Sequence, residues 1–220
     1  MNLTHLLPVL QGLPYFTKQN LALAINKEGE NLNYWIKKLT QEGLIIPLKK
    51  GFYIAPQYAQ TNLKTLEEKN TYGIYLANTL CTPSYVSLEY ALSYYSIIPE
   101  SAFHITSVTT KSTRQFRSPE TTFFYRHIPQ QLFNGYQTIY FELSKLSALI
   151  AEPFKALCDF LYLKPFASRL ILKDYLINGG RINWDAFESE QKKRLANQLH
   201  TSKSVKLQTV FRILTKEHII

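Results

Sequence analysis

A chain of 220 residues with 45% hydrophobic and 19% charged side chains and only 8 glycines can bury a sizeable core, which excludes a disordered or low-complexity protein. Its 25 Lys and Arg against 16 Asp and Glu leave +9 at neutral pH, a balance that suits a polyanionic partner or simple solubility. No apolar run reaches the length of a membrane span, and no basic flank with a small-residue cleavage site marks a signal peptide, so a cytoplasmic protein without membrane contact is expected.

In chain order, Met1 to Leu10 carries Leu3, Leu6, Leu7 and Leu10 at helical spacing. Thr17 is a good N-cap for a helix over Lys18 to Ile25, with Phe16 and Leu21 spaced as a hydrophobic staple. The next helix is expected to start from Asn31 as N-cap. It puts Leu32, Trp35, Ile36 and Leu39 on a packing face and Asn33, Tyr34, Lys37, Lys38 and Gln41 on the opposite face. Gly43 stands where a left-handed cap is wanted. Leu44 to Leu48 and Phe52 to Ala55 then read as a hairpin whose Lys49-Lys50-Gly51 tip holds two lysines in solvent. Three helices and a basic hairpin are the order of a winged helix-turn-helix, in which the helix from Leu32 reads a major groove and the hairpin lies along the backbone or minor groove of duplex DNA. Residues 1 to 60 carry six basic and three acidic side chains, as phosphate neutralisation requires.

Pro56 to Asn62 lacks periodicity and reads as the connection to a second domain, residues 61 to 220. Lys64 to Cys81 reads as helix, with Leu66, Ile74, Tyr75, Leu76 and Leu80 expected inside. Thr82-Pro83 looks like a helix start, and Pro99 closes that helix. Three strands follow, Phe103 to Thr109, Thr121 to Ile128 and Gln137 to Phe141, punctuated by Ser118-Pro119 and Asn134-Gly135. Between the first two, Lys111 to Arg117 reads as a loop whose Lys111, Arg114 and Arg117 are available to DNA backbone or to a protein partner. Ser144 to Leu163 reads as helix, restarted at Pro153. Helices over Phe166 to Ile177, Trp184 to Leu199 and Val205 to Leu214 complete an α+β chain with a small sheet and a helical C-terminal part.

Two segments, Tyr85 to Pro99 (YVSLEYALSYYSIIP) and Ile150 to Tyr162 (IAEPFKALCDFLY), carry a family pattern. Tyr85-Val86-Ser87 with Ala91-Leu92, and Ala151, Pro153, Lys155-Ala156-Leu157 and Asp159, resemble the AbiEi-type antitoxins and related regulators of bacterial type IV toxin-antitoxin systems. Ser96 stands where such sequences often have glycine, and Phe154 where an acidic residue often precedes the Lys-Ala-Leu run. The resemblance implies a repressor of its own operon whose N-terminal domain reads the operator and whose C-terminal domain counters a nucleotidyltransferase-like toxin, without a lasting complex between the two. A regulator with no toxin partner and a small ligand in its second domain is the alternative.

Enzyme signals are thin. His5, His104, His127, His200 and His218 lack metal-ligand spacing, no phosphate-cradling glycine loop occurs, and Cys81 and Cys158 sit in apolar patterns as free buried thiols. Neither a metal nor a cofactor is expected. A nuclease would have to be built from Asp185, Glu190 and Lys192 on one predicted exposed helix, where a solvated face is the simpler reading.

Overall fold

The computed structural model describes residues 8–119, 121–140 and 146–220. Most of the expected helix over Met1 to Leu10 and the end of the third expected strand, Phe141, lie outside these, as does His5; residues 8–11 are helical.

A small N-terminal unit is built from β1 (Phe16–Thr17), α1 (Lys18–Ile25), α2 (Gly29–Gln41), β2 (Ile46–Lys49) and β3 (Phe52–Ile54). Thr17 caps α1 as its sequence requires: its hydroxyl accepts from the Asn20 amide while Asn20 returns a bond to the Thr17 backbone, a reciprocal capping box. Phe16 and Leu21 are both fully buried, as the staple spacing predicts. Two-residue β1 pairs with β3, so the hairpin becomes a three-stranded antiparallel sheet of order β1-β3-β2. Leu10, Phe16, Leu21, Ile25, Leu32, Leu39, Ile45 and Tyr53 close its core. The helix expected from Asn31 begins earlier: the Leu32 amide bonds the Glu28 carbonyl, which places Asn31 inside the first turn.

The rest is organised on a six-stranded mixed sheet of order β6-β7-β5-β4-β9-β8. Its strands are β4 (Ser84–Val86), β5 (Ile105–Thr109), β6 (Arg114–Arg117), β7 (Thr122–His127), β8 (Tyr136–Tyr140) and β9 (Ser147–Ala151). β5 and β7 run parallel, as do β4 and β9; the other neighbours are antiparallel. Helix α4 (Leu66–Leu80) packs on one face, where the Tyr125 hydroxyl donates to the Ala77 carbonyl at 2.7 Å. Helices α5 (Leu88–Tyr94) and α6 (Pro153–Leu163) pack on the other. Against α6 lie α8 (Ser189–Thr201) and α9 (Val205–Lys216), with α7 (Arg169–Asp174) and a π-helical turn at Tyr175–Gly179 beside α9.

Several expectations change. Pro56–Asn62 is a helix, α3, not a connection; seven residues with one buried side chain, Tyr58, are too short to display a period. Residue 60 falls within it, and Leu48, Ile54 and Tyr58 belong to the larger core. Thr82-Pro83 leads into β4 rather than into a helix, because Ser84 to Val86 pair on both sides at the centre of the sheet; the helix begins at Leu88. Leu66, expected inside, is 74% exposed in the first turn of α4. Arg114 to Arg117, expected as loop, is an edge strand in which Phe116 alone is partly covered, so no apolar alternation marks it, and exposed charge suits an edge. Ser147 to Ala151, expected as helix, is a strand paired between β4 and β8; its Ala and Leu favour helix locally and tertiary pairing overrides them. The restart at Pro153 is as expected, with proline in the first turn of α6.

The segments Tyr85 to Pro99 and Ile150 to Tyr162 face each other across the layer between β4 and α6. Asp159 accepts from the Tyr85 hydroxyl at 2.9 Å, from the Ser87 hydroxyl at 2.9 Å and from the Lys155 ammonium at 2.5 Å. All four residues are essentially buried. Burial pushes the Asp159 carboxyl above its ordinary range, against the pull of Lys155 and the two hydroxyls. Gly135, at φ +69, passes so close that a Cβ there would stand 3.0 Å from Lys155 Cγ.

Candidate nucleic-acid interface

The amphipathic sequence of α2 sets the candidate surface. Leu32 and Leu39 are buried, Trp35 and Ile36 are partly buried against the small core, and Asn33, Tyr34, Lys37 and Gln41 stand in solvent. Trp35 is thus half covered rather than buried; Tyr34 meets it edge-on at 5.8 Å and the Lys38 ammonium lies 5.0 Å from its ring. Lys38 also reaches Glu42 at 4.0 Å, a solvent-exposed pair worth little. The polar face therefore divides into Lys37 and Gln41, which are open, and Asn33, Tyr34 and Lys38, which are exposed but engaged with Lys18, Trp35 and Glu42 respectively.

Lys18 joins this face to the hairpin, and sequence reasoning missed it. Its side chain donates to Asn33 Oδ1 at 2.7 Å, and its backbone amide donates to the Gly51 carbonyl at 2.9 Å. The start of α1, the first half of α2 and the hairpin turn thereby meet at one residue. Nothing in local periodicity signals this, since the contact spans fifteen residues to α2 and follows from how β1 pairs with β3. Gly51, at φ +79, supplies the backbone conformation the turn needs.

The two hairpin lysines have different fates. Lys50 is exposed at the turn, as expected. Lys49 is not: it ends β2, and its ammonium donates to the Leu80 carbonyl at 2.7 Å while lying 4.4 Å from the Phe52 ring and 5.6 Å from the Phe116 ring. That carbonyl belongs to the last turn of α4, where acceptors lack intrahelical partners and positive charge is favoured. Desolvation holds the Lys49 ammonium below the usual lysine range, and the positive charges of Lys111 and Arg114 add to the effect. Lys49 is a strut between hairpin and larger unit, and the expectation that it projects from the tip is corrected.

Lys111, Arg114 and Arg117 are all exposed. Lys111 sits in a short turn pinned at both sides: its amide donates to Thr109 Oγ1 at 3.1 Å, and its carbonyl lies 3.2 Å from His127 Nδ1. Arg114 opens β6 and bonds the Ser112 carbonyl and hydroxyl. Strand β2 lies against β6, so the hairpin and this basic segment are neighbours although some sixty residues separate them in sequence.

Asp185, Glu190 and Lys192 do not share a helix. Asp185 lies in a 3-10 turn, Trp184–Ala186, while Glu190 and Lys192 belong to α8, so the single exposed helix expected for the three is corrected. Among the described residues no three His, Cys, Asp or Glu side chains are placed to hold a metal ion, and no helix is long and apolar enough to cross a membrane. Both cysteines are buried free thiols, and burial pushes Cys158 up to about 12. On the α6 side of the sheet a half-open cavity of about 490 Å3 is lined by Phe103, Phe124, Phe160, His104, Arg126 and Lys164, among others. No protein-family model and no characterised protein matches the chain.

Proposed function

We propose that the chain is a DNA-binding antitoxin that represses its own type IV toxin-antitoxin operon from the cytoplasm. Residues 1 to 60 act as a winged helix-turn-helix, with α2 as the reading helix and the β2–β3 hairpin as the wing. The observation that carries the DNA-binding part is the convergence at Lys18, which sets Asn33 of α2 and the Gly51 turn side by side on one basic surface. A reading helix and a wing must be fixed relative to each other to engage groove and backbone together. Asn33, Tyr34, Lys37 and Gln41 supply groove contacts, and Lys18, Lys38 and Lys50 neutralise phosphates. The antitoxin part rests on the resemblance at Tyr85 to Pro99 and Ile150 to Tyr162. It assigns residues 61 to 220 the task of countering a nucleotidyltransferase-like toxin without a stable complex.

The test is a gel-shift titration of the full chain on the DNA upstream of its own gene, with co-expression of an adjacent nucleotidyltransferase-like gene. Retarded DNA that is lost in the Lys37→Ala, Gln41→Ala double variant is the expected result, together with growth rescue by the full chain. Equal binding by wild type and variant would remove α2 as reader; failure to rescue would remove the antitoxin role. A regulator with no toxin partner is the second reading. The cavity favours it, since an aromatic floor of Phe103, Phe124 and Phe160 edged by Arg126, Lys164 and Glu89 suits a small aromatic ligand carrying polar groups, and the lack of any toxin-like neighbour gene would select it.

A further inference from the structure

The Lys49 strut does more than hold two units together. It seats the hairpin on β6, so that Lys50 follows directly on a residue whose ammonium feels the charges of both Lys111 and Arg114. Among the described residues no carboxylate pairs with any of Lys49, Lys50, Lys111 or Arg114. Lys49, Lys111 and Arg114 are therefore close enough to repel one another, with Lys50 next along the chain, and no carboxylate among the described residues neutralises them, an arrangement that a polyanion would relieve. The turn bearing Lys111 is ordered in advance by Thr109 and His127, and the Arg114 guanidinium is positioned by Ser112. A guanidinium so positioned, and a lysine on a fixed backbone, lose less freedom on meeting phosphate.

We infer that Lys111 and Arg114 of the larger unit extend the duplex-DNA contact surface beyond the hairpin, each meeting a backbone phosphate of the same DNA that α2 engages. This rests on the DNA-binding reading above and adds a contact from outside residues 1 to 60. Strand alternation makes it selective. Arg114 and Phe116 share the face of β6 that looks toward the hairpin, as the approach of Lys49 to the Phe116 ring requires, while Gln115 and Arg117 occupy the other face. Arg117 carries the same charge and exposure and stands outside the surface, which makes it an internal control.

The experiment measures the affinity of the full chain for a mixed-sequence duplex across a salt series. In the Lys111→Ala, Arg114→Ala double variant the slope of log affinity against log salt should fall by about two units, since each lost phosphate contact removes ~0.9. Arg117→Ala should keep the wild-type slope, and both proteins should keep the wild-type melting temperature because the altered side chains are exposed. A double variant that binds with wild-type slope, while Lys37→Ala loses about one unit, overturns this inference and leaves α2 as reader. A loss in Arg117→Ala of about half that in the double variant overturns it too, because the effect would then follow the number of charges removed rather than contact. A wild-type chain with no affinity for the duplex overturns the DNA-binding reading itself, and this extension with it.

Discussion

Single residues decide how β4 and α6 are joined. Lys155 and Asp159 are four apart on α6 and buried together, with Tyr85 from β4 and Ser87, the residue between β4 and α5, completing the hydrogen bonds of the carboxylate. Taking one charge away strands the other in a place water does not reach. Lys155→Met is expected to cost about 3–5 kcal/mol of stability, and Asp159→Leu a comparable amount. The Lys155→Met, Asp159→Leu double variant should cost clearly less than the two together, retaining only the penalty of about 1–3 kcal/mol for each hydroxyl left unpaired. Urea unfolding of the three proteins checks this, and additive losses would show that the pair does not act as a unit. The sequence offered both segments as a pattern, yet not that Asp159 is the point where they meet. A helical i,i+4 spacing gives Lys155 its partner, whereas the bonds from Tyr85 and Ser87 span more than seventy residues and depend on the sheet order.

At the scale of elements, local signals served best where one element closes on itself. The Thr17 cap, the staple beneath it, the two faces of α2 and the restart at Pro153 are local in this sense, and all were legible. Elements whose identity depends on a neighbour were not. β6 holds its place by pairing with β7, and β9 by lying between β4 and β8; neither carries the alternation that marks a half-buried strand. The hairpin shows the same limit within the candidate site. Lys49 and Lys50 look equivalent in sequence, and only the packing of β2 on β6 separates a strut from an exposed cation. Lys49→Met keeps the aliphatic stem and removes the bond to the Leu80 carbonyl. It should destabilise the chain by about 1–2 kcal/mol, the lower part of the range for a charged hydrogen bond given its partial exposure. The amides of β2 and β3 should exchange faster in hydrogen-exchange measurements while those of α6 keep their protection. Uniform acceleration across the chain would show that the strut has no local role.

For the whole molecule, the α+β layout and the placing of candidate groove residues on one face of α2 could be read from the sequence, because both follow from periodicity. The integration of the parts could not. Leu48, Ile54 and Tyr58 pack into the larger core, so the N-terminal unit rests on the remainder instead of ending at a linker. A chain of contacts links Lys18 and α2 through the hairpin to β6, which only the three-dimensional arrangement brings about. The most direct measurement is the change in backbone amide NMR shifts when a mixed-sequence duplex is titrated into the full chain. Changes concentrated at Lys18, Asn33 to Gln41, Lys50-Gly51 and Lys111 to Arg114 are the expected result. Shifts that leave α2 unmoved, or that gather only around the cavity between Phe124 and Phe160, would contradict the assignment of this surface to DNA.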